Sequence, residues 1–288
     1  MAANSNYDSA RHSPASALDR RDATGTVSKW LLKYSGTAAF AFLPLAFVLT
    51  ACSGAQKPLA EATTAPLPEG HVDPATAGTI SGSVLFRGDA PVMPFIDMSS
   101  NPSCERQHKT RVRAETVVVN ANRTLRNAFV HIKDGLPAAH WNPPAETVKL
   151  TQSGCIYQPH VIGIMVDQKL EVLNEDPVNH NVHAETEVNP PWNIAEAPKA
   201  EHSFRKFAAP EVLFPMTCSV HPWMRSYVGV SANPFFAVTG EDGAFMLPGV
   251  PPGTYTIEVV QEKLGRKEGT VTLPPSGTAS IDFTYGTP

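Results

Sequence analysis

Residues 218–224 read Cys-Ser-Val-His-Pro-Trp-Met. They set a thiol, an imidazole three residues on and a thioether three beyond that, Cys218, His221 and Met224, on one short loop. Upstream, the stretch Asn179–His183 reads Asn-His-Asn-Val-His and follows the strand-like run Lys169–Asn174. That order puts His180 on a loop or strand end facing the later loop. A lone Cys-x2-His recurs by chance in many proteins, and a lone Met after it is more often packing. The joint pattern is stronger than either part, because three soft or borderline donors occupy one loop and a fourth lies in the right order.

A thiolate, two imidazoles and a weak thioether form the donor set of a copper site for one-electron transfer. A purely structural role and a different metal are the alternatives that the residues leave open. His180-Asn181-Val182, then Cys218-x2-His221-Pro222-x-Met224 and Arg225-x-Tyr227-Val228-x-Val230, resembles the amicyanin branch of the small cupredoxins. That family spaces His and Met by two residues where plastocyanins use four. The resemblance implies one type 1 copper, with His180, Cys218 and His221 as trigonal ligands and Met224 as the axial one. It also implies that Asn174 ties the two ligand loops together. In such proteins the C-terminal histidine ligand reaches solvent through an apolar patch, which Val220, Pro222 and Trp223 would form here. Trp223 reads as an aromatic lid that keeps the site dry, with a place on the electron path as the alternative. Pro215, three residues before Cys218, departs from the pattern and predicts an edge strand or a break there.

Working outward, short β-branched or alternating runs at Glu146–Gln152, Val161–Gln168, Lys169–Asn174, around Phe204 and Phe207, and at Arg225–Ser231 predict a Greek-key sandwich over 145–232. Further strands are predicted at Thr79–Phe86, Glu115–Asn120 and Asn127–Asp134, the last two joined as a hairpin, giving an N-terminal β region over 78–144. Phe235–Val260 has turn signals at Asp242-Gly243 and Pro251-Pro252-Gly253. It resembles the carboxypeptidase-regulatory-like, transthyretin-like sandwich, classed with carbohydrate-binding-like folds, and 233–288 is assigned to it. This block is short for that fold, and Thr79–Phe86 is a strand it could borrow. No helical apolar period persists after residue 52, so the fold class is all-β.

At the other end, residues 1–34 carry Arg20, Arg21, Lys29 and Lys33 and lead into an uncharged apolar run, Ser35–Thr50. The run suits a secretion signal, and Leu49-Thr50-Ala51-Cys52 resembles a bacterial lipobox. The expectation is a signal peptide over 1–51, lipidation of Cys52, and a disordered tether rich in Ala, Pro, Thr and Glu over 52–77. The chain would then sit in the bacterial envelope, facing the periplasm and anchored by lipid, most simply in the outer membrane. Residues 1–51 hold five basic and three acidic side chains, so residues 52–288 carry 18 Lys and Arg against 24 Asp and Glu. No basic cluster points to nucleic acid.

Cys104 and Cys155 are left over in a compartment that permits disulfides. A bridge between them is the simplest reading. A Cys2His2 metal site with His108 and His160, or two free thiols, are the alternatives. No nucleophile elbow, phosphate loop or zinc-hydrolase motif appears, so no enzyme activity is expected. The function expected is an envelope-anchored copper electron carrier, with a redox protein such as a c-type cytochrome or a dehydrogenase as its partner. Copper scavenging without electron transfer, or an envelope interaction module with carbohydrate as one candidate ligand, are the alternatives; sugar binding does not follow from the fold.

Overall fold

The computed structural model describes residues 66–286. The expected signal segment, Cys52 and most of the tether lie outside the described residues. The end of the expected tether is tied down. The Gly70 amide donates to the His140 carbonyl at 2.6 Å, and Asp73 closes a turn by accepting from the amides of Thr76 and Ala77. Among the described residues no helix is long and apolar enough to cross a membrane.

The fold is all-β with one short helix among the described residues, in two sandwiches that cut across the expected bounds. In the first, strand β1 (Gly78–Arg87) pairs antiparallel with β13 (Ala244–Val250) and parallel with β16 (Thr278–Ser280) and β17 (Phe283–Gly286). Its other sheet runs in the order β12 (Phe236–Val238), β2 (Phe129–Asp134), β14 (Gly253–Gln261), β15 (Gly265–Leu273). Alternation places Ile80, Val84 and Phe86 of β1 and Tyr255, Ile257 and Val259 of β14 in one core with Leu273 and Phe283. Residues 78–134 therefore do not stand as a separate region. Each terminal piece is too short to cover its own apolar face, so the two complete one sandwich, called here the terminal sandwich. Glu115–Asn120, expected as a strand, forms only an isolated bridge between Val119 and Leu125. Left-handed backbone at Arg123 and Asn127 turns the chain away before a ladder can extend.

The second sandwich, the expected cupredoxin-like one, sits between these pieces in sequence. One sheet runs in the order β5 (Val161–Met165), β11 (Arg225–Ser231), β10 (Glu211–Thr217), β7 (His180–Ala184), β8 (Trp192–Glu196). The other runs β4 (Tyr157–Gln158), β3 (Val148–Gln152), β6 (Leu170–Asn174), β9 (Ser203–Arg205). They share a core of Leu150, Ile162, Ile164, Val172, Phe207 and Val228. One more piece reaches this core from outside 145–232. The segment bearing helix α1 (Pro102–Glu105) lays Met98 and Cys104 into it.

Pro215 lies in β10, an interior strand, and not at an edge. Its carbonyl accepts from the Glu185 amide, so its missing donor faces β7, where strand pairing covers only Met216 and Thr217. The register slips between Glu211 and Phe214, with Leu213 left-handed at φ 58°. The two sandwiches meet where Gly163 and Gly229 pair in register. A Cβ on Gly229 would lie 2.8 Å from the Phe129 ring, and one on Gly163 the same distance from Phe236. Glycine at both positions lets these two rings seat on the sheet.

Candidate metal centre

The loop 218–224 joins β10 to β11 and is closed by its own backbone. The Met224 amide donates to the His221 carbonyl at 2.9 Å, and the Cys218 amide to the Met224 carbonyl at 3.3 Å. This brings Cys218 and His221 to the end of the sheet where β7 begins with His180. The two histidines converge through the same ring nitrogen, with 2.9 Å between His180 Nδ1 and His221 Nδ1. Cys218 Sγ lies 3.9 Å from His221 Nδ1, and the three donor atoms all fall within 4.8 Å of one another. His180, Cys218 and His221 are 2%, 3% and 1% exposed, and Met224 is buried in the same core. A thiolate and two imidazoles, dry and facing one point, fit a copper ion and suit a borderline metal generally. His183, three residues on, turns away to the surface beside Glu185.

Each donor has a neighbour that fixes it. His180 Nε2 lies 2.8 Å from Asp176 Oδ2, and both side chains are fully buried. Asp176 is itself held by the amides of Gly154 and Cys155 at 2.6 and 2.8 Å. A carboxylate there selects the tautomer with the proton on Nε2, which leaves His180 Nδ1 a free lone pair toward the cluster. Burial works to raise the Asp176 carboxyl, but the bond to His180 and the two amides outweigh it and hold it below its ordinary value. For His180, burial favours the neutral ring, and the bonds to Asp176 and Cys218 reverse this and raise it. Burial likewise pushes the Cys218 thiol up, while His180 and the nearby amides of Asn181, His221 and Val220 bring it below the usual thiol range. His221 is lowered by burial and then by the charge of His180.

The tie between the ligand loops is made by Asn181 and not by Asn174. Asn181 Oδ1 accepts from the Ser219 amide at 2.7 Å and faces Cys218 Sγ at 3.4 Å, while its Nδ2 donates to Ser219 Oγ. Asn174 donates to the carbonyls of Val178, Glu196 and Ala197, each at 3.0 Å. It braces the turn before His180 against the end of β8, because it closes β6, whereas Asn181, inside β7, lies beside the Cys218 loop. Adjacency to His180 is the sequence signal for Asn181. For Asp176 it is the four-residue step to His180.

The outer side of His221 is where the chain departs most from the expected pattern. Val220 is 54% exposed and Pro222 is exposed, yet the ring between them does not reach solvent. Helix α1 lies over it. His221 Nε2 is 2.7 Å from Asn101 Nδ2 and 3.5 Å from Cys104 Sγ, and Asn101 is also the N-cap of α1, its Oδ1 accepting from the Ser103 amide. Cys104 is joined to Cys155 by a disulfide, which fastens this cover to the sandwich. Trp223 packs on His221 with ring centroids 5.1 Å apart and donates its indole N–H to the Cys155 carbonyl at 3.0 Å. Nothing in the sequence around Asn101 marks it as a neighbour of the site. His108, expected as an alternative ligand beside Cys104, bonds instead to the Gly154 carbonyl, and His160 to Glu262.

No protein-family model and no curated protein matches the chain. Among solved structures it is similar to the copper-containing nitrite reductase NirK from Thermus scotoductus SA-01, at 22% identity over 35% of this chain and 25% of that chain, with a TM-score of 0.28. It is similar to a purple cupredoxin from Nitrosopumilus maritimus, at 20% identity over 29% of this chain and 99% of that one, with a TM-score of 0.26. Amicyanin from Paracoccus versutus matches at 18% identity over 35% of this chain and 97% of its own, with a TM-score of 0.27. The match thus spans about a quarter of the nitrite reductase and nearly all of the two smaller proteins.

Proposed function

We propose that this chain is a one-electron carrier that holds a single copper ion between His180, Cys218, His221 and Met224. The observation that carries the reading is the convergence of two Nδ1 atoms and one buried sulfur on a single point. Bound copper supplies exchange between Cu(II) and Cu(I) without a proton or a substrate. The protein's part is to fix the donors. Asp176 orients His180, Asn181 locks the Cys218 loop to β7, and burial keeps water out. Attachment through a lipid on Cys52 would hold the carrier in the bacterial envelope, facing the periplasm, where a c-type cytochrome or a dehydrogenase would be its partner. No enzymatic step is part of this reading.

The test is the visible spectrum of the purified protein after addition of Cu(II). A thiolate bound to copper gives intense charge-transfer absorption. The expected result is a blue or green protein with one copper per chain, bleached by reductant and colourless in Cys218→Ala. A colourless complex that keeps its copper in Cys218→Ala would end the reading. Copper storage without electron transfer is the second reading, and the cover over His221 favours it, since a buried ligand slows metal exchange. Tight retention against a Cu(I) chelator, together with slow reduction by every protein donor tried, would select storage.

A further inference from the structure

The usual exit from such a centre is shut in this chain. His180 uses its outer nitrogen on Asp176, and the outer nitrogen of His221 is covered by Asn101 and the sulfur of Cys104. Cys218 and Met224 are buried in the core. The rate of electron transfer falls steeply with each gap between packed groups. The route that matters therefore has the fewest gaps between the donors and a surface that another protein can touch.

Besides Cys104, which is fully buried, two side chains that touch His221 reach toward the surface. Asn101 is one, but its amide is engaged at both ends, on His221 and on the start of α1, and a polar amide must lose its water before anything packs on it. Trp223 is the other. Its indole contacts the His221 ring directly, it is only partly buried, and with Pro222 it lines a wide groove at the surface. Exposed Val220 and Pro222 flank His221 and extend the apolar surface around that loop. The indole N–H bond to the Cys155 carbonyl, next to the disulfide that holds the cover, fixes the ring against its neighbour.

We infer that electrons enter and leave through the indole of Trp223 and not through the edge of His221, an inference that rests on the copper reading above. One electron passes from the partner's reduced group to the centre, or back. No bond forms or breaks, and no proton has to move at Asn101 or Asp176. Trp223 is thus both the cover of the site and its redox contact.

Two experiments on the full chain test this. In the metal-free protein, mass spectrometry after diethyl pyrocarbonate treatment should find His221 unmodified. Acrylamide should quench the part of the tryptophan emission that Trp223→Phe removes. In the copper-loaded protein, stopped-flow reduction by a reduced c-type cytochrome should slow at least about tenfold in Trp223→Leu. The charge-transfer colour should persist, which shows that the copper is still held, and the rates are compared after correction for the potential measured in each variant. Trp223→Phe, which keeps an aromatic ring, should recover most of the rate and serves if the Leu variant folds poorly. An unchanged cytochrome rate in Trp223→Leu with colour intact, a comparable fall in Asn101→Ala instead, or ready modification of His221 would overturn the inference and leave the copper reading standing. A parent protein that takes up no copper would overturn both.

Discussion

The terminal sandwich and the sandwich that carries the candidate metal centre solve the same packing problem with different materials. The first is filled mainly with hydrocarbon, from Ile80 and Val84 at one end of the chain to Phe283 and Tyr285 at the other, with Glu258 and Gln261 as buried polar exceptions. The second encloses Asp176, Asn174, Asn181, His180, His221, Glu196 and Glu211 within or beside its apolar core. Each buried polar group must find a partner, and most do so through loops. Gln152 Oε1 and Trp192 Nε1 do not. Apolar contact is non-directional, so a hydrocarbon core can be assembled from strands far apart in sequence. A polar cluster cannot be assembled so loosely. It needs loops held in place, and here one of the fastenings is covalent.

That difference is broken most directly at the disulfide. Replacing both cysteines, Cys104→Ser with Cys155→Ser, reopens a loop of 51 residues. It should lower unfolding stability by about 2–4 kcal/mol. The same change frees α1 from the sandwich, so copper loss to a chelator should quicken while the colour of the loaded protein stays. Denaturant titration and chelator competition measure the two effects. Unchanged stability and exchange would mean that Met98 and the Asn101 contacts hold the cover by themselves.

The seam between the two sandwiches gives the next effect. Gly229→Ala adds a methyl 2.8 Å from the Phe129 ring, closer than packed side chains allow. Overpacking of this kind should cost about 1–3 kcal/mol. Because Gly229 is in β11, beyond the ligand loop, the visible spectrum should not move, and calorimetry should show whether one sandwich or both lose stability. A change in colour with no loss of stability would show that the seam acts on the metal loops instead.

Legibility in the sequence follows the same division. The donors lie in two contiguous stretches, Asn179–His183 and Cys218–Met224, and chemistry alone picks them out. Partners that act through the fold are hidden. Asn101 has no local signal, and Asn174 attracts attention that belongs to Asn181, because which residue of a strand faces the neighbouring loop depends on a register that sequence does not state. The terminal sandwich is harder still. Pairing of Gly78–Arg87 with Ala244–Val250 and Phe283–Gly286 spans most of the chain; the shortness of the C-terminal block and the likeness of Thr79–Phe86 to a strand it could borrow point to β1, but nothing points to β2. Glu115–Asn120 carries strand composition without a partner in register, which is why composition misleads there.

The smallest effect separates the two sandwiches by how each stabilises a buried carboxylate. For both Glu258 and Glu211, burial works to raise the carboxyl and is outweighed, so both lie below the usual range. In each case the folded value is depressed. The stabilisation is therefore present above the unfolded value, about 4.3 for Glu, and is lost as pH falls through the lower folded value. The partners differ. Glu258, in the terminal sandwich, relies on His131 and on the charges of Arg266 and Lys133, whose side chains are 55% and 40% exposed. Glu211 relies on fixed amides of Glu187, Val188 and Asn189 and on the Asn189 side chain. Salt screens exposed charges and hardly touches hydrogen bonds from buried amides. The stability lost in Glu258→Gln at neutral pH should therefore shrink between low and high salt, by no more than about 1 kcal/mol. The loss in Glu211→Gln should stay constant. Denaturant titrations of the two variants against the parent at both salt concentrations read this directly. Equal salt sensitivity would mean that long-range charge acts on both sandwiches alike, and that the amide cradle around Glu211 is not what holds its charge.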